Sequence, residues 1–338
     1  MTAEVLSTHT PALFDAAVKY AAKLLRAGEV VALPTETVYG LAANAMDEQA
    51  VAKIFKIKGR PANNPIIVHV FGIEMAGRCV AAWPAAAEKL ARAFWPGPLT
   101  LVLPRAKEIR GIVTAGGPTV GVRWPIHPFI QAVIRECGFP LAAPSANLSS
   151  RISPTNAGHV HQQLGDKIPL IVDGGQSQVG IESTVLDLTV SPPRVLRPGM
   201  IRLESLGAVV GEGISQQSEV ESDNRKTLPS PGLLKKHYAP KARLLVLSWR
   251  NDADLKSQIA NHPSPIANCH IIAHTKIPAG FGAANVSVIP HDAEAFARAI
   301  YAELHRCDAT GAELIVVEAP PEAPEWAGIA DRLRRAAA

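Results

Sequence analysis

Apolar positions along this chain fall into short continuous runs and into stretches of helical period, separated by turn residues. Over residues 14–26, Ala17, Tyr20, Ala21, Leu24 and Leu25 share one face and the pattern stops at Gly28, which predicts a helix. Residues 30–33 read as a buried strand halted by Pro34. Thr35, Glu36, Thr37 and Tyr39 then place polar side chains on what reads as a strand-to-helix turn closed by Gly40. Asp47 is positioned to cap a helix that carries Val51, Ile54 and Phe55 inward and breaks at Lys58, Gly59, Arg60 and Pro61. A strand over 65–70 follows, then a helix over 85–94, a stiff Trp95, Pro96, Gly97, Pro98 turn and a strand over 99–103. Between Thr119 and Trp124 the period of two puts Thr119, Gly121 and Arg123 on one face, a hydroxyl and a guanidinium side by side. A helix over 129–137 and a strand-plus-loop over 140–147 set Ser145 and Asn147 two residues apart. Thr155 is placed to cap a helix to Leu164, strands are expected over 168–172 and 180–188, and residues 194–199 close this first part.

The pattern changes at residue 212. Residues 212–229, EGISQQSEVESDNRKTLP, are too polar to bury a core and read as a linker. After SPGLLKKHYAP the alternation becomes cleaner: strand 244–247, helix 254–261, strands 271–273 and 286–289, helix 294–307, strand 314–318 and a helix from Trp326. The expected architecture is therefore an α/β domain with a mixed twisted sheet over 1–211, a linker over 212–240, and a smaller Rossmann-like open-sheet domain over 241–338. The second domain lacks GxGxxG and any catalytic cluster.

Length and composition narrow the class. With 338 residues, the chain can support two domains with separate cores. No run approaches the ~18 apolar residues of a membrane span, and the N-terminus lacks the basic start and apolar block of a signal peptide. Cys79, Cys137, Cys269 and Cys307 are widely spaced, which suits core thiols in a reducing compartment better than zinc or a disulfide framework. A cytoplasmic protein is expected. The net charge of +4 is mild, and its cations gather in a few motifs. That suits a small anionic ligand better than a long polyanion, so tight DNA binding is not expected. There is no Walker A sequence, no GxSxG and no HExxH.

The unit around residues 28–69 gathers hydroxyls, amides and cations at the polar ends of buried strands, which is an anion site in outline. Cations at the end of a helix also complement its dipole, so the residues alone leave both readings open. The ordered pair PTETVYGL and KGRPANNPIIVHV resembles the signature of the YrdC/Sua5 family, the threonylcarbamoyl-AMP synthases of tRNA modification. The second domain matches the longer, two-domain form. The resemblance implies a concave basic cavity and a nucleotidyltransferase that makes threonylcarbamoyl-AMP and pyrophosphate from L-threonine, bicarbonate and ATP. The nucleotide implies Mg2+, which in the absence of a dense carboxylate cluster is expected to ride mainly on the phosphates, with no protein metal ligand assigned. The resemblance also implies a product passed to a partner transferase acting on tRNA to make t6A. Residue by residue, it assigns Thr37, His69, Arg123 and Ser183 to threonine. It assigns Lys58, Arg60, Asn64, Ser145, Asn147 and Arg197 to ATP, with Thr119 and Ser153 added, and Lys58 and Arg60 as the catalytic pair. His237 and Tyr238, in the HYAP segment, are implied to approach ATP, although SPGLLKKHYAP lacks the aromatic that the family carries before that pair.

The implied chemistry suits these residue types. An Arg grips a carboxylate with two prongs, and cations already in place stabilise charge developing at phosphate without reorganisation. The carbamate formed from threonine is itself the nucleophile, so no Ser or Cys nucleophile is required. Two rivals stand beside this reading: an RNA-binding module with a basic concave face, and a carbamoyl-transfer enzyme of hydrogenase maturation.

Overall fold

A computed structural model describes residues 2–211, 213–216, 228, 230–261, 268–282 and 285–338. Within the expected linker, residues 212, 217–227 and 229 lie outside the described residues. The chain forms two compact units, Met1–Ser149 with Ser153–Leu234, and Ser150–Ile152 with Lys235–Ala338.

The described strands of the first unit are β1 (Glu4–Ser7), β2 (Val31–Leu33), β3 (Gly40–Asn44), β4 (Val68–His69), β5 (Leu99–Pro104), β6 (Thr119–Arg123), β7 (Leu141–Ala142), β8 (Leu170–Asp173), β9 (Thr184–Asp187), β10 (Arg194–Arg197) and β11 (Ser215–Gln216). They form one mixed sheet in the order β1-β8-β2-β3-β7-β4-β6-β5-β9-β10-β11. Helix Pro11–Arg26, capped by Thr10, buries Ala17, Val18, Ala21, Ala22 and Leu25. Its Phe14 meets Phe129 of helix Pro128–Cys137 edge-to-face at 5.2 Å. Helix Glu48–Lys58 begins at Asp47, whose carboxylate accepts from the N–H groups of Gln49 and Ala50, and ends at Gly59 in the left-handed conformation.

Several expectations change. The turn after β2 leads to a strand, not a helix: β3 pairs antiparallel with β2, Val31 opposite Ala42. Its run of glycine, leucine and small alanines carries weak local β preference, and pairing on both sides decides it. The expected strand over 65–70 shortens to β4 because Ile66 N–H donates out of the ladder, to Val113 O at 2.8 Å. Helix Ala157–Leu164 is capped by Asn156, which accepts from His159 N–H, while Thr155 is buried beside His159. Strand β1 and helices Ile73–Cys79 and Leu203–Val210 were not expected. Ser215 and Gln216, inside the expected linker, add β11 alongside β10.

In the second unit β12 (Arg243–Leu247), β13 (Cys269–Ala273), β14 (Val286–Val288) and β15 (Leu314–Glu318) form a fully parallel sheet in the order β12-β15-β13-β14, the open sheet expected. Helices Asp252–Ala260, Ala293–Ala309 and Ala327–Ala337 accompany it. Ser150–Ile152 joins this unit, with Arg151 bridging Ala239. All four cysteines are free and buried. Burial pushes the thiols of Cys79 and Cys307 up to about 12 and those of Cys137 and Cys269 up to about 11, as core thiols require.

Glu318, the last residue of β15, is buried at the carboxyl edge of this sheet. Its carboxylate accepts from the N–H groups of His274 and Thr275 at 2.8 Å, from that of Lys276 at 3.1 Å, and from the Thr275 hydroxyl. Burial raises its pKa, but these donors outweigh it and hold the carboxyl below the usual range. Parallel α/β sheets commonly bind ligands at this edge, and here a side chain fills the backbone donors after β13. Replacing Glu318 with Ala orphans those donors and should cost about 2 kcal/mol, read as a lower urea midpoint. Because the folded pKa is depressed, the contribution is present above the unfolded carboxyl pKa of about 4.3 and lost as pH falls through the folded value. The Ala variant should show a flatter acid limb than the parent.

Candidate active site

The turn between β2 and β3 is tied from several sides. Thr35 Oγ1 donates to Val38 O at 2.6 Å and shares a hydrogen bond with Thr37 Oγ1 at 2.9 Å. The N–H groups of Val179 and Gly180 donate to Glu36 O and Thr37 O at 2.7 and 3.1 Å, and Ser177 Oγ donates to Thr35 O. This lattice aims Thr37 and Glu36 at Arg123, at the end of β6.

Arg123 is only 3% exposed. Its Nε donates to Gly97 O at 3.2 Å, Nη1 donates to Thr37 Oγ1 at 2.9 Å, and Nη2 lies 2.6 Å from Glu36 Oε1. On parallel strand β4, His69 stands in register with Arg123. Its Nδ1 is buried without a hydrogen-bond partner. Burial, and then the nearby Arg123 charge, hold its pKa well below the ordinary histidine value, so the ring is neutral. Three of the four residues assigned to threonine therefore converge. The fourth, Ser183, shares a hydrogen bond with Thr100 at 2.8 Å and accepts from Arg197 Nη2 at 3.1 Å. A threonine candidate is thus bonded to an ATP candidate.

A cavity of about 240 Å3 opens over the same unit, lined by Pro65, Thr100, Thr119, Gly121, Arg194 and Pro231 among others. Thr119, Val120 and Gly121 of β6 line it, and Arg123 does not. A Cβ on Gly121 would come within 3.2 Å of Thr100 Cγ2, so the missing side chain helps keep the cavity open. Arg197 reaches the same wall, its Nη1 donating to Pro231 O at 3.4 Å.

Lys58, 3% exposed at the end of its helix, donates to Ser145 O at 2.5 Å and to Asn147 O. Burial and then the charge of Arg60 pull its pKa well below that of a solvated lysine, while Glu182 opposes them. Arg60 donates through Nε to Asn64 O at 2.9 Å, through Nη2 to Asn64 Oδ1 at 2.8 Å, and to Pro65 O on the cavity wall. Asn64 Nδ2 is enclosed without a partner. Ser153 Oγ donates to Glu182 Oε1 at 2.5 Å. His237 and Tyr238 stand in the second unit, where Tyr238 stacks on Tyr301 at 6.0 Å beneath the Arg332 guanidinium and His237 N–H donates to Arg335 O. Sequence reasoning missed Thr100 and Glu182, and treated Glu36 as a polar turn position only. The available signals were that Glu36 lies inside the PTETVYG motif and that Glu182 directly precedes Ser183.

A family model described as telomere recombination, for the Sua5, YciO and YrdC proteins, matches residues 23–199, and one described as the threonylcarbamoyl-AMP synthase C-terminal domain matches 201–338. The chain is 40% identical to the threonylcarbamoyl-AMP synthase of Pyrococcus abyssi, with 94% of this chain and 93% of that one covered. The chain belongs to the Sua5/YrdC family. It is also 40% identical to the threonylcarbamoyl-AMP synthase of Bacillus subtilis, covering 98% of this chain and 94% of that one. The crystal structure of P. abyssi Sua5 complexed with L-threonine superposes with a TM-score of 0.90 at 38% identity, covering 100% of this chain and 98% of that one. Both halves of the Sua5/YrdC architecture are therefore present. Among the described residues no helix is long and apolar enough to cross a membrane.

The burial of Lys58 leads to a sharp expectation. Lys58→Met removes the donor serving two carbonyls, so it should lower stability by about 1–3 kcal/mol in urea unfolding as well as slow turnover. Arg60→Ala should slow turnover by more than about tenfold, the loss of a ~1.4 kcal/mol contact. For His69, the unfolded ring protonates near 6.5 and the folded ring well below it, so stability should fall as pH drops from about 6.5 toward the folded value. His69→Gln should flatten that limb in thermal melts followed by circular dichroism.

Proposed function

We propose that the chain is an L-threonylcarbamoyladenylate synthase, joining L-threonine, bicarbonate and ATP to give threonylcarbamoyl-AMP and pyrophosphate for t6A in tRNA. The observation that carries this reading is the buried Arg123, anchored by Thr37 and Gly97 beside the unpartnered Nδ1 of His69. Buried polar groups with unmet bonding capacity are costly unless a ligand completes them. A guanidinium and a neutral imidazole suit the carboxylate and hydroxyl of threonine, with Ser183 next to the cavity wall at Thr100.

The carbamate made from threonine's amine attacks the α-phosphorus of ATP, and pyrophosphate leaves. Lys58 and Arg60 face that chemistry as cations already oriented by backbone carbonyls, which stabilises phosphate charge without rearrangement. The 240 Å3 cavity falls below the ~300–1,000 Å3 of pockets for whole drug-sized ligands. It suits a fragment such as the base, with Val102, Val185 and Ile67 supplying apolar contact. Among the described residues no three His, Cys, Asp or Glu side chains come together as a metal site. Mg2+ carried by the ATP phosphates needs only one or two protein carboxylates, and Glu182, bonded to Ser153, stands among the ATP candidates. That ion would neutralise phosphate charge. The product would pass to a transferase acting on tRNA, in a cytoplasmic pathway.

Pyrophosphate release from ATP is the test, and it should require both L-threonine and bicarbonate. Arg123→Lys should raise the threonine requirement far more than the ATP requirement, because the two-pronged grip on the carboxylate is lost. ATP-independent binding of RNA that weakens steeply with salt, and no pyrophosphate, would instead establish the RNA-binding reading.

A further inference from the structure

Glu36 is 4% exposed, and neither of its carboxylate oxygens has a hydrogen-bond donor. Arg123 Nη2 lies 2.6 Å from Oε1, but the contact is an ion pair without hydrogen-bond alignment. A buried carboxylate in that state is expensive unless something completes it. Arg123 does not depend on Glu36 for its pose, because Gly97 O and Thr37 Oγ1 anchor Nε and Nη1. An acid beside an arginine that exists only to grip a substrate carboxylate would compete with that carboxylate. Its presence calls for a ligand that brings a cation as well as an anion.

We infer that Glu36 receives the α-ammonium of the amino-acid substrate and accepts its proton as the carbamate forms. The inference rests on the synthase reading and adds a residue to it. Arg123 takes the carboxylate of the zwitterion, Glu36 the ammonium, and the pair rejects hydroxy acids as well as amines. In the step itself an ammonium and bicarbonate give a carbamate, water and one proton. The N–C bond forms, a C–O bond of bicarbonate breaks, and its oxygen leaves as water. One proton from nitrogen completes that water and the second goes to Glu36. Among the described residues, Arg123 on β6 pairs with Glu36, the charge of Glu36 also acts on His127, which caps helix Pro128–Cys137, and His69 on β4 stands in register with Arg123. His127 sits against Gly174 beside Pro34, and its Nδ1 accepts from Phe129 N–H at 3.2 Å.

The test compares L-threonine with 3-hydroxybutanoate, which keeps the carboxylate, hydroxyl and methyl but has no ammonium, by titration calorimetry on the full chain. The parent protein should bind threonine at least about tenfold more tightly, and Glu36→Gln should reduce that preference below about threefold while the analogue binds as well or better. Loss of both ligands together in Glu36→Gln would show that Glu36 merely positions Arg123, and would overturn the inference. If Glu36→Gln does not fold, the parent protein decides alone: equal affinity for the two ligands refutes the ammonium site. At saturating threonine, pyrophosphate release by Glu36→Gln should remain at least about tenfold slow, with partial rescue in Glu36→Asp. Full recovery at saturation would eliminate the proton-accepting role. A parent protein that binds threonine no better than buffer would instead refute the synthase reading itself.

Discussion

A guanidinium taken out of water is costly unless its charge and donors find partners, and several elements of the first unit converge on Arg123 to supply them. Its donors go to Gly97 O and the Thr37 hydroxyl, and its charge faces Glu36. Each partner is held in turn. Gly97 follows helix Ala85–Phe94, and Thr37 sits in a turn bonded to Val179, Gly180 and Ser177. The Arg123 cluster therefore consists of strand ends and turns cross-tied by backbone hydrogen bonds, which holds its side chains in fixed positions.

The same economy governs three buried or half-buried cations of the first unit. Lys58, Arg60 and Arg197 all donate to backbone carbonyls before any ligand arrives. Their positions are preset, and preset charge stabilises an anion without reorganisation. The cost is carried by burial, visible in the lowered proton affinity of Lys58 and His69. Ser183 is bonded both to Thr100 and to Arg197.

In the second unit the equivalent resource is spent internally. The backbone donors after β13, at an edge where α/β sheets commonly take ligands, are filled by Glu318. A carboxylate of the sheet itself thus occupies the donors that follow β13.

Periodicity alone determined much of this protein. The period of two in β6 put Thr119, Gly121 and Arg123 on one face, and Asp47, Gly59 and the 85–94 helix were legible because caps, left-handed glycines and 3.6-residue spacing are local physics. The parallel second sheet was legible for the same reason. Tertiary structure decided what local signals could not. β3 is a strand because β2 and β7 pair with it, although its glycine and alanines carry little preference of their own. Strand 65–70 shortened because Ile66 found Val113 instead of a ladder partner. Glu36, Thr100 and Glu182 entered the site through contacts with residues 83 or more positions away, or 29 in the case of Glu182. A carboxylate's role depends on what surrounds it once water is excluded, and only the folded chain supplies those surroundings.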